Sequence, residues 1–241
     1  MNCHCCKGKY KSVFVNTFKC AECKHVYRAY KGNEIEYHKS QYRNIERRDR
    51  SEISSDGQIR PLFHEKRKDI CDKRLEFVLK YVKKTDNCLD IGAGAGTYAN
   101  LLASHVDSVQ CTELDPSLIS ECIRLGFKVY DESFLDLKFE SEYDLVSAWH
   151  VLEHVDNVDL FLQKCKNITK KYCIIEVPML NALNGQGRTR KLTDPSSGVY
   201  DGHAHYFTKE SFISIASRYF KIIEIKEGAQ SPALFAVMEP I

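Results

Sequence analysis

Residues 88 to 97, CLDIGAGAGT, combine a short apolar strand, three alternating glycines and the start of a helix. Gly92, Gly94 and Gly96 have no side chains, so the backbone N–H groups of this turn can approach a ligand closely at a helix N-terminus. A strand, a glycine turn and a helix in this order are typical of α/β domains that bind nucleotide-type cofactors. The chain is therefore expected to have an α/β fold.

The spacing of the glycines distinguishes this turn from a dinucleotide-binding turn. A dinucleotide fingerprint reads G-x-G-x-x-G, whereas this turn reads G-x-G-x-G. Asp90 stands two residues before the first glycine, where a carboxylate repels a pyrophosphate and suits a cationic ligand that carries an amino acid. A nicotinamide-dependent oxidoreductase is disfavoured by both features and remains an alternative.

An acidic residue follows at the distance expected for a ribose contact. The segment VDSVQCTEL predicts a second strand that ends at Glu113, 21 positions after Gly92. An acid at this position in nucleotide-binding domains accepts hydrogen bonds from the ribose hydroxyls. A helix, a third strand in GFKVYDESFLDL and a fourth strand in YDLVSAWHVLEHV are predicted to follow.

These motifs together resemble the class I S-adenosylmethionine-dependent methyltransferases, in particular the ubiquinone-biosynthesis-like or type 23 group. LDIGAGAG is similar to their first motif, TELDP to the second and YDLVSAWHVLEHV to the fourth-strand motif, while IIEVPMLN and HAHYFTKESF resemble later segments. The resemblance covers residues 85–241. It implies a Rossmann-like sheet of seven strands with helices on both faces.

The resemblance also implies roles for individual residues. Asp90 and the three glycines would hold the methionine end and the backbone of the cofactor, and Glu113 would bind its ribose. The other implied cofactor contacts are Leu114 and Asp115 near the ribose, Ser133 and Phe134 at the adenine, and Trp149 and His150 beside the cofactor.

Histidines and a glutamate follow the fourth strand in the order His150-x-x-Glu153-His154, and His203-Ala-His205 comes later. In one interpretation, Glu153 and His154 only support the turn. In a second, His150 or His205 removes a proton from the acceptor, as a histidine near neutral pKa can. In a third, Glu153, His154 and His205 bind a catalytic metal, as a similar set does in the small-RNA 2′-O-methyltransferases.

The N-terminus carries two C-x-x-C pairs, Cys3 with Cys6 and Cys20 with Cys23. Two such pairs around a predicted hairpin are typical of a zinc ribbon that holds tetrahedral Zn²⁺. Four thiolates leave no open position for substrate, so the zinc is expected to be structural. His4, Cys5 and His25 are spare donors that could replace one ligand.

Charge and polarity divide the rest of the chain. Residues 1–84 carry 21 Lys and Arg against 11 Asp and Glu, although the whole chain has a net charge of only +2. We therefore expect a zinc ribbon at 1–30, a basic connector and helix at 31–84, and the cofactor-binding domain at 85–241. A polar loop before His203, with Arg188, Arg190 and Lys191, could act as a lid for an anionic acceptor.

The expected protein is a cytoplasmic methyltransferase that uses S-adenosylmethionine and structural zinc. No apolar stretch approaches the roughly 20 residues of a membrane span, and no secretory signal is recognised. A four-cysteine ribbon before such a domain resembles bacterial sugar-modifying methyltransferases, so the expected acceptor is a small molecule, first a sugar or nucleotide sugar. A nucleic-acid methyltransferase, based on the basic N-terminal part, and a non-catalytic cofactor-binding module are the alternatives.

Overall fold

The computed structural model describes residues 1–14, 17–29, 61–179, 203–227 and 233–241. The predicted connector at 31–60 and the predicted lid with Arg188, Arg190 and Lys191 lie outside these residues. Within them, no helix is long and apolar enough to cross a membrane.

Seven strands form one sheet. They are β4 (Asn87–Ile91), β5 (Ser108–Thr112), β6 (Lys128–Tyr130), β7 (Tyr143–Trp149), β8 (Thr169–Pro178), β10 (Phe220–Glu227) and β11 (Ala233–Pro240). Their order across the sheet is β10-β11-β8-β7-β4-β5-β6. β4, β5, β6 and β7 pair in parallel, whereas β11 is antiparallel to both β8 and β10. This strand order confirms the predicted Rossmann-like methyltransferase fold, including the closing pair of strands.

Five α-helices accompany these strands in the described residues: α1 (Pro61–Val78), α2 (Thr97–Ala103), α3 (Pro116–Arg124), α4 (Val158–Ile168) and α5 (Lys209–Ala216). The helical spacing of the sequence predicts that α1 continues to Lys84, but it ends at Val78. The Asp86 carboxylate accepts a hydrogen bond from the Lys83 backbone N–H, at 2.9 Å, and so holds this segment in a turn.

The chain divides into two compact units. One contains Ile35–Ala148 and Ile168–Tyr172, and so holds the glycine turn and its neighbouring strands. Its core is made of apolar strand residues such as Leu89, Ile91 and Leu145, each of which is buried. The parallel pairing of β4 with both β5 and β7 fixes the carboxyl end of β4, where the turn begins.

The other unit contains Met1–Glu34, Trp149–Asn167 and Cys173–Ile241. It includes a second sheet in the order β1-β2-β3-β9, with β1 (Tyr10–Phe14), β2 (Thr17–Cys20), β3 (Val26–Arg28) and β9 (His205–Tyr206). The predicted hairpin between the cysteine pairs is therefore present. Its third strand pairs with β9, a segment of the chain almost 180 residues away.

Candidate functional site

The glycine turn after β4 has a left-handed backbone at its three glycines. Gly94 has φ +59°, and a Cβ added there would meet no atom within 4 Å, so the turn leaves open space at this point. Gly96 has φ +73°, and a Cβ there would lie 3.0 Å from the Cys122 sulfur. Gly94 therefore leaves room for a ligand, whereas Gly96 allows α2 to pack closely.

Glu113, directly after β5, ties the glycine turn to the neighbouring strand. Its Oε2 accepts a hydrogen bond from the Gly94 N–H at 2.8 Å. Its Oε1 accepts from the N–H groups of Leu114 and Asp115 at 2.7 and 3.0 Å. The carboxylate is thus fixed by three backbone donors at the carboxyl ends of two adjacent parallel strands.

The Glu113 carboxylate keeps capacity for a ligand. A carboxylate offers about four acceptor positions, and three are filled by the backbone donors. One ribose hydroxyl can therefore donate to Oε2, and a second would replace a backbone donor. Burial raises the pKa of Glu113 above its ordinary value, and the three backbone hydrogen bonds oppose this shift.

Asp90 lies inside the sheet. Its side chain is fully buried within β4, and the Ser147 hydroxyl on β7 donates to its Oδ1 at 2.7 Å. This hydrogen bond links two adjacent strands directly below the turn. The predicted contact of Asp90 with the methionine end of a cofactor remains a prediction.

The residues predicted near the ribose and adenine have other contacts. Asp115 caps α3, because its Oδ1 accepts hydrogen bonds from the N–H groups of Ser117 and Leu118. Phe134 is buried, and its ring lies 5.8 Å from that of Phe139. Leu114 and Ser133 are half-exposed. The contacts of Asp115 and Phe134 therefore support the fold, and their predicted cofactor roles stay predictions.

His150 directly follows β7 and has φ +57°, which is unusual for a residue other than glycine. Its Nδ1 lies 3.1 Å from Glu153 Oε1 and its Nε2 lies 3.0 Å from Glu176 Oε1. Burial lowers the pKa of His150, but the hydrogen bonds and charges of the two glutamates outweigh burial and raise the pKa to about 9. The ring is thus protonated at neutral pH, which does not favour its predicted use as a general base.

Glu153 sits in a short 3₁₀ turn, Leu152–His154, and its side chain is fully buried. Burial raises its pKa, but the His150 hydrogen bond and the nearby imidazoles outweigh burial and lower the pKa. Two imidazoles approach its Oε1 at 3.9 Å, one from His154 and one from His203. Glu153 is therefore an ionised carboxylate among three histidines.

His205, by contrast, lies apart from Glu153. Its ring is fully buried and stacks on His25 and Tyr27, at 5.2 and 5.1 Å between centroids. Its Nδ1 lies 3.3 Å from His25 Nε2. Because the ring has no exposed surface, this placement does not support the predicted acid–base role of His205. His203, and not His205, lies beside His154 and Glu153.

Comparison with known proteins identifies the chain. The model of the methyltransferase 23 family, described as a methyltransferase domain, matches residues 63–223. The chain belongs to this family of class I S-adenosylmethionine-dependent methyltransferases. The match supports the methyltransferase resemblance over the nicotinamide-dependent alternative.

Relatives of the methyltransferase are distant. An uncharacterized methyltransferase of Schizosaccharomyces pombe is 29% identical over 130 residues, covering 44% of this chain and 45% of that protein. The chain thus spans about half the length of this relative.

Two solved structures share the fold. The N-methyltransferase NodS from Bradyrhizobium japonicum, in complex with S-adenosylhomocysteine, is 16% identical over 72% of this chain and 86% of its own, with a TM-score of 0.55. Magnesium protoporphyrin IX methyltransferase from Synechocystis, with bound S-adenosylhomocysteine, is 13% identical over 87% of this chain and 100% of its own, with a TM-score of 0.62.

The N-terminal cysteines of the methyltransferase converge as their spacing predicts. The sulfurs of Cys3, Cys6, Cys20 and Cys23 all lie within 4.8 Å of one another. Two of their separations, 3.6 Å for Cys3 to Cys23 and 3.4 Å for Cys6 to Cys20, are near the roughly 3.8 Å expected for sulfurs on one tetrahedral Zn²⁺. These four residues could hold the ion.

The two cysteine turns have the same backbone form. The residue after each second cysteine, Lys7 or Lys24, has a left-handed φ of 63° or 61°. Cys5 is not part of the four-cysteine group, but lies with Cys3 and His25 in a second buried group of donor atoms. It therefore remains a spare donor.

The methyltransferase also contains functional candidates that sequence reasoning missed. Glu176 on β8 is fully buried and holds His150, although its position in the apolar run IIEVP gave no signal for a site. The signal for His203 was present in the HAH motif. The sequence did not reveal which of the two histidines would meet Glu153.

Proposed function

We propose that the chain transfers a methyl group from S-adenosylmethionine to a small-molecule acceptor, first a sugar or nucleotide sugar. The observation that carries the cofactor assignment is the Glu113 carboxylate, held by three backbone N–H groups beside an open glycine turn. A ribose hydroxyl can donate to its free acceptor position. Magnesium protoporphyrin IX methyltransferase, by its name, acts on a small molecule, and its structure and that of NodS both hold S-adenosylhomocysteine.

The proposal also assigns a structural zinc ion to Cys3, Cys6, Cys20 and Cys23. The support is the donor chemistry, since four sulfurs in one group suit Zn²⁺ and leave no position for substrate. A ribbon before a methyltransferase domain is the feature that favours sugar acceptors. When bound, the zinc would join the two cysteine turns and so stabilise β1, β2 and β3 as one sheet.

Methyl transfer places modest demands on the protein, because the sulfonium carbon is already electrophilic. The chain must bind the cofactor, orient the acceptor and exclude water. Glu113 and the glycine turn would perform the first task. The histidine and glutamate side chains after β7 would then interact differently with acceptors of different chemical class.

Isothermal titration with S-adenosylmethionine and S-adenosylhomocysteine tests the cofactor assignment. Wild type should bind both, Glu113→Ala should bind neither well, and Glu132→Ala, which removes an exposed glutamate, should behave as wild type. Unchanged affinity in Glu113→Ala would show that the ribose contact is misplaced.

Transfer of a radiolabelled methyl group to a panel of acceptors tests the substrate class. The panel should contain sugars, nucleotide sugars and a structured RNA. Labelling of the nucleotide sugars supports the proposal. Labelling of RNA alone, with affinity that falls steeply with salt as phosphate contacts require, would favour a nucleic-acid methyltransferase.

A further inference from the structure

Three metal-ligand side chains meet outside the cysteine ribbon. Glu153 and His154 come from the 3₁₀ turn after β7, and His203 precedes β9. Glu153 Oε1 lies 3.9 Å from Nε2 of His154 and 3.9 Å from Nε2 of His203. One donor atom from each of the three lies within 4.8 Å of the others.

Among the residues that the structure describes, none donates to the second oxygen of Glu153. The side chain is fully buried, and Oε2 has no hydrogen-bond partner among the described residues. A buried polar atom left in this state costs about 1–3 kcal/mol. His150 does not meet this need, because its two ring nitrogens already face Oε1 of Glu153 and Oε1 of Glu176. A cation bound by both carboxylate oxygens would supply the missing interaction at Oε2.

The donor set selects the kind of cation. Two imidazoles and one carboxylate suit zinc, iron, manganese, cobalt or nickel, whereas calcium and magnesium prefer oxygen ligands alone. Bonds of about 2.0–2.2 Å place adjacent ligand atoms roughly 3 Å apart, so the observed 3.9 Å needs only a small rotation of the two rings. His154 and His203 are 24% and 19% exposed, which leaves access from solvent.

We propose that Glu153, His154 and His203 bind a divalent transition-metal ion with open coordination positions. Three protein ligands are the number found in catalytic sites, where the remaining positions take water or a substrate atom. His150 and Glu176 hold Glu153 in place and are not ligands. That the open position takes an oxygen of the methyl acceptor rests on the proposed function, whereas metal binding itself does not.

Cobalt(II) titration of the full chain, followed by optical absorption, tests the site. Cobalt at the cysteines gives intense thiolate charge-transfer bands, whereas cobalt held by imidazole and carboxylate gives none. We expect wild type to bind two equivalents, one with and one without these bands. His203→Ala and Glu153→Gln should lose only the thiolate-free equivalent. His105→Ala, which removes an exposed histidine elsewhere, should keep both.

Several results would overturn the proposal. The proposal is wrong if wild type binds no cobalt without thiolate bands. It is also wrong if His203→Ala and Glu153→Gln bind as much of this cobalt as His105→Ala does. If a variant fails to fold by circular dichroism, the wild-type titration still decides. Affinity for S-adenosylmethionine is measured on the same samples, so loss of the metal site and failure of the cofactor assignment are told apart.

Discussion

Two buried glutamates follow parallel strands of the same sheet, and they are held in opposite ways. Glu113, after β5, is fixed by three backbone N–H groups. Glu153, after β7, is surrounded by the side chains of His150, His154 and His203. Backbone donors cannot titrate and are not removed by substitution of a side chain, so they suit the binding of a cofactor. Imidazoles can titrate and bind metals, so they suit acid–base or metal chemistry.

Loss of the zinc site should have the largest effect. It should disrupt the unit that contains Glu153 and leave the unit that contains Glu113 intact. Structural zinc in small domains contributes an apparent binding free energy of about 10–16 kcal/mol, and Cys20→Ser removes one ligand. We expect faster hydrogen exchange at Val26–Arg28 and at His205–Tyr206, which pair as β3 and β9. Methyl transfer should fall to background. Cys88→Ser, a buried cysteine in the other unit, is the control, and equal protection in the two variants would contradict the assignment.

Removal of Glu153 should be next in size. Glu153→Ala deletes a buried carboxylate and leaves His150 with Glu176 as its remaining partner, so the expected cost is that of a lost buried acceptor, about 1–3 kcal/mol. Chemical denaturation should show a decrease of this order in the free energy of unfolding. Affinity for S-adenosylmethionine should change less than about twofold, because Glu113 and its three backbone donors are unaltered in this variant. A variant as stable as Glu132→Ala would show that Glu153 contributes nothing to the fold.

Removal of Glu113 should act mainly on the cofactor. Glu113→Ala removes the carboxylate that would accept from the ribose, and a hydrogen bond to a charged group contributes about 1.5–3 kcal/mol. We therefore expect S-adenosylmethionine affinity to fall by about 10- to 100-fold, since 1.4 kcal/mol is a factor of ten. Calorimetric titration measures the change. A larger loss of turnover than of affinity would place Glu113 closer to the chemistry than we propose.

The smallest expected effect concerns a third glutamate, in the same unit as Glu113. Arg124 and His64 both contact Glu121 at 2.6–2.8 Å, and the Arg124 hydrogen bond is the main cause that lowers the pKa of Glu121. Because the pKa of Glu121 is lower in the folded state than in the unfolded state, its ionised carboxylate stabilises the fold at pH values above the unfolded-state pKa. This stabilisation is lost as the pH falls through the folded-state pKa.

Arg124→Gln should therefore lower stability at neutral pH and converge with wild type in acid. Because Arg124 is 66% exposed, solvent screens its interaction with Glu121 and the expected loss of stability is small. Thermal unfolding from pH 7 downwards measures it. A difference that persists unchanged at the lowest pH would show that the effect is not electrostatic.

Local patterns predicted the strands and the glycine turn because each is determined by neighbouring residues. The apolar run before Gly92 and the alternating glycines lie within ten positions of sequence. The spacing between Gly92 and Glu113 likewise predicted that the turn and the acid meet, since adjacent parallel strands end at one edge.

Long-range pairing explains what the sequence did not reveal. The pairing of β3 with β9 stacks His205 on Tyr27 and leaves His203 to meet Glu153. No local pattern distinguishes the two histidines, because the choice depends on a segment almost 180 residues away. Glu176 was missed for a related reason. It lies on β8, whereas its partner, His150, directly follows β7.

The β3–β9 pairing has a consequence for synthesis of the chain. A ribosome releases the cysteine turns long before it makes His205 and Tyr206, so the sheet of β1, β2 and β3 carries an open edge at β3 until those two residues have been made. An unpaired strand edge is a template for association with other chains. Chains that stop before His205 should therefore be the species that aggregate, and His205 can stack on His25 and Tyr27 only after β9 has been made.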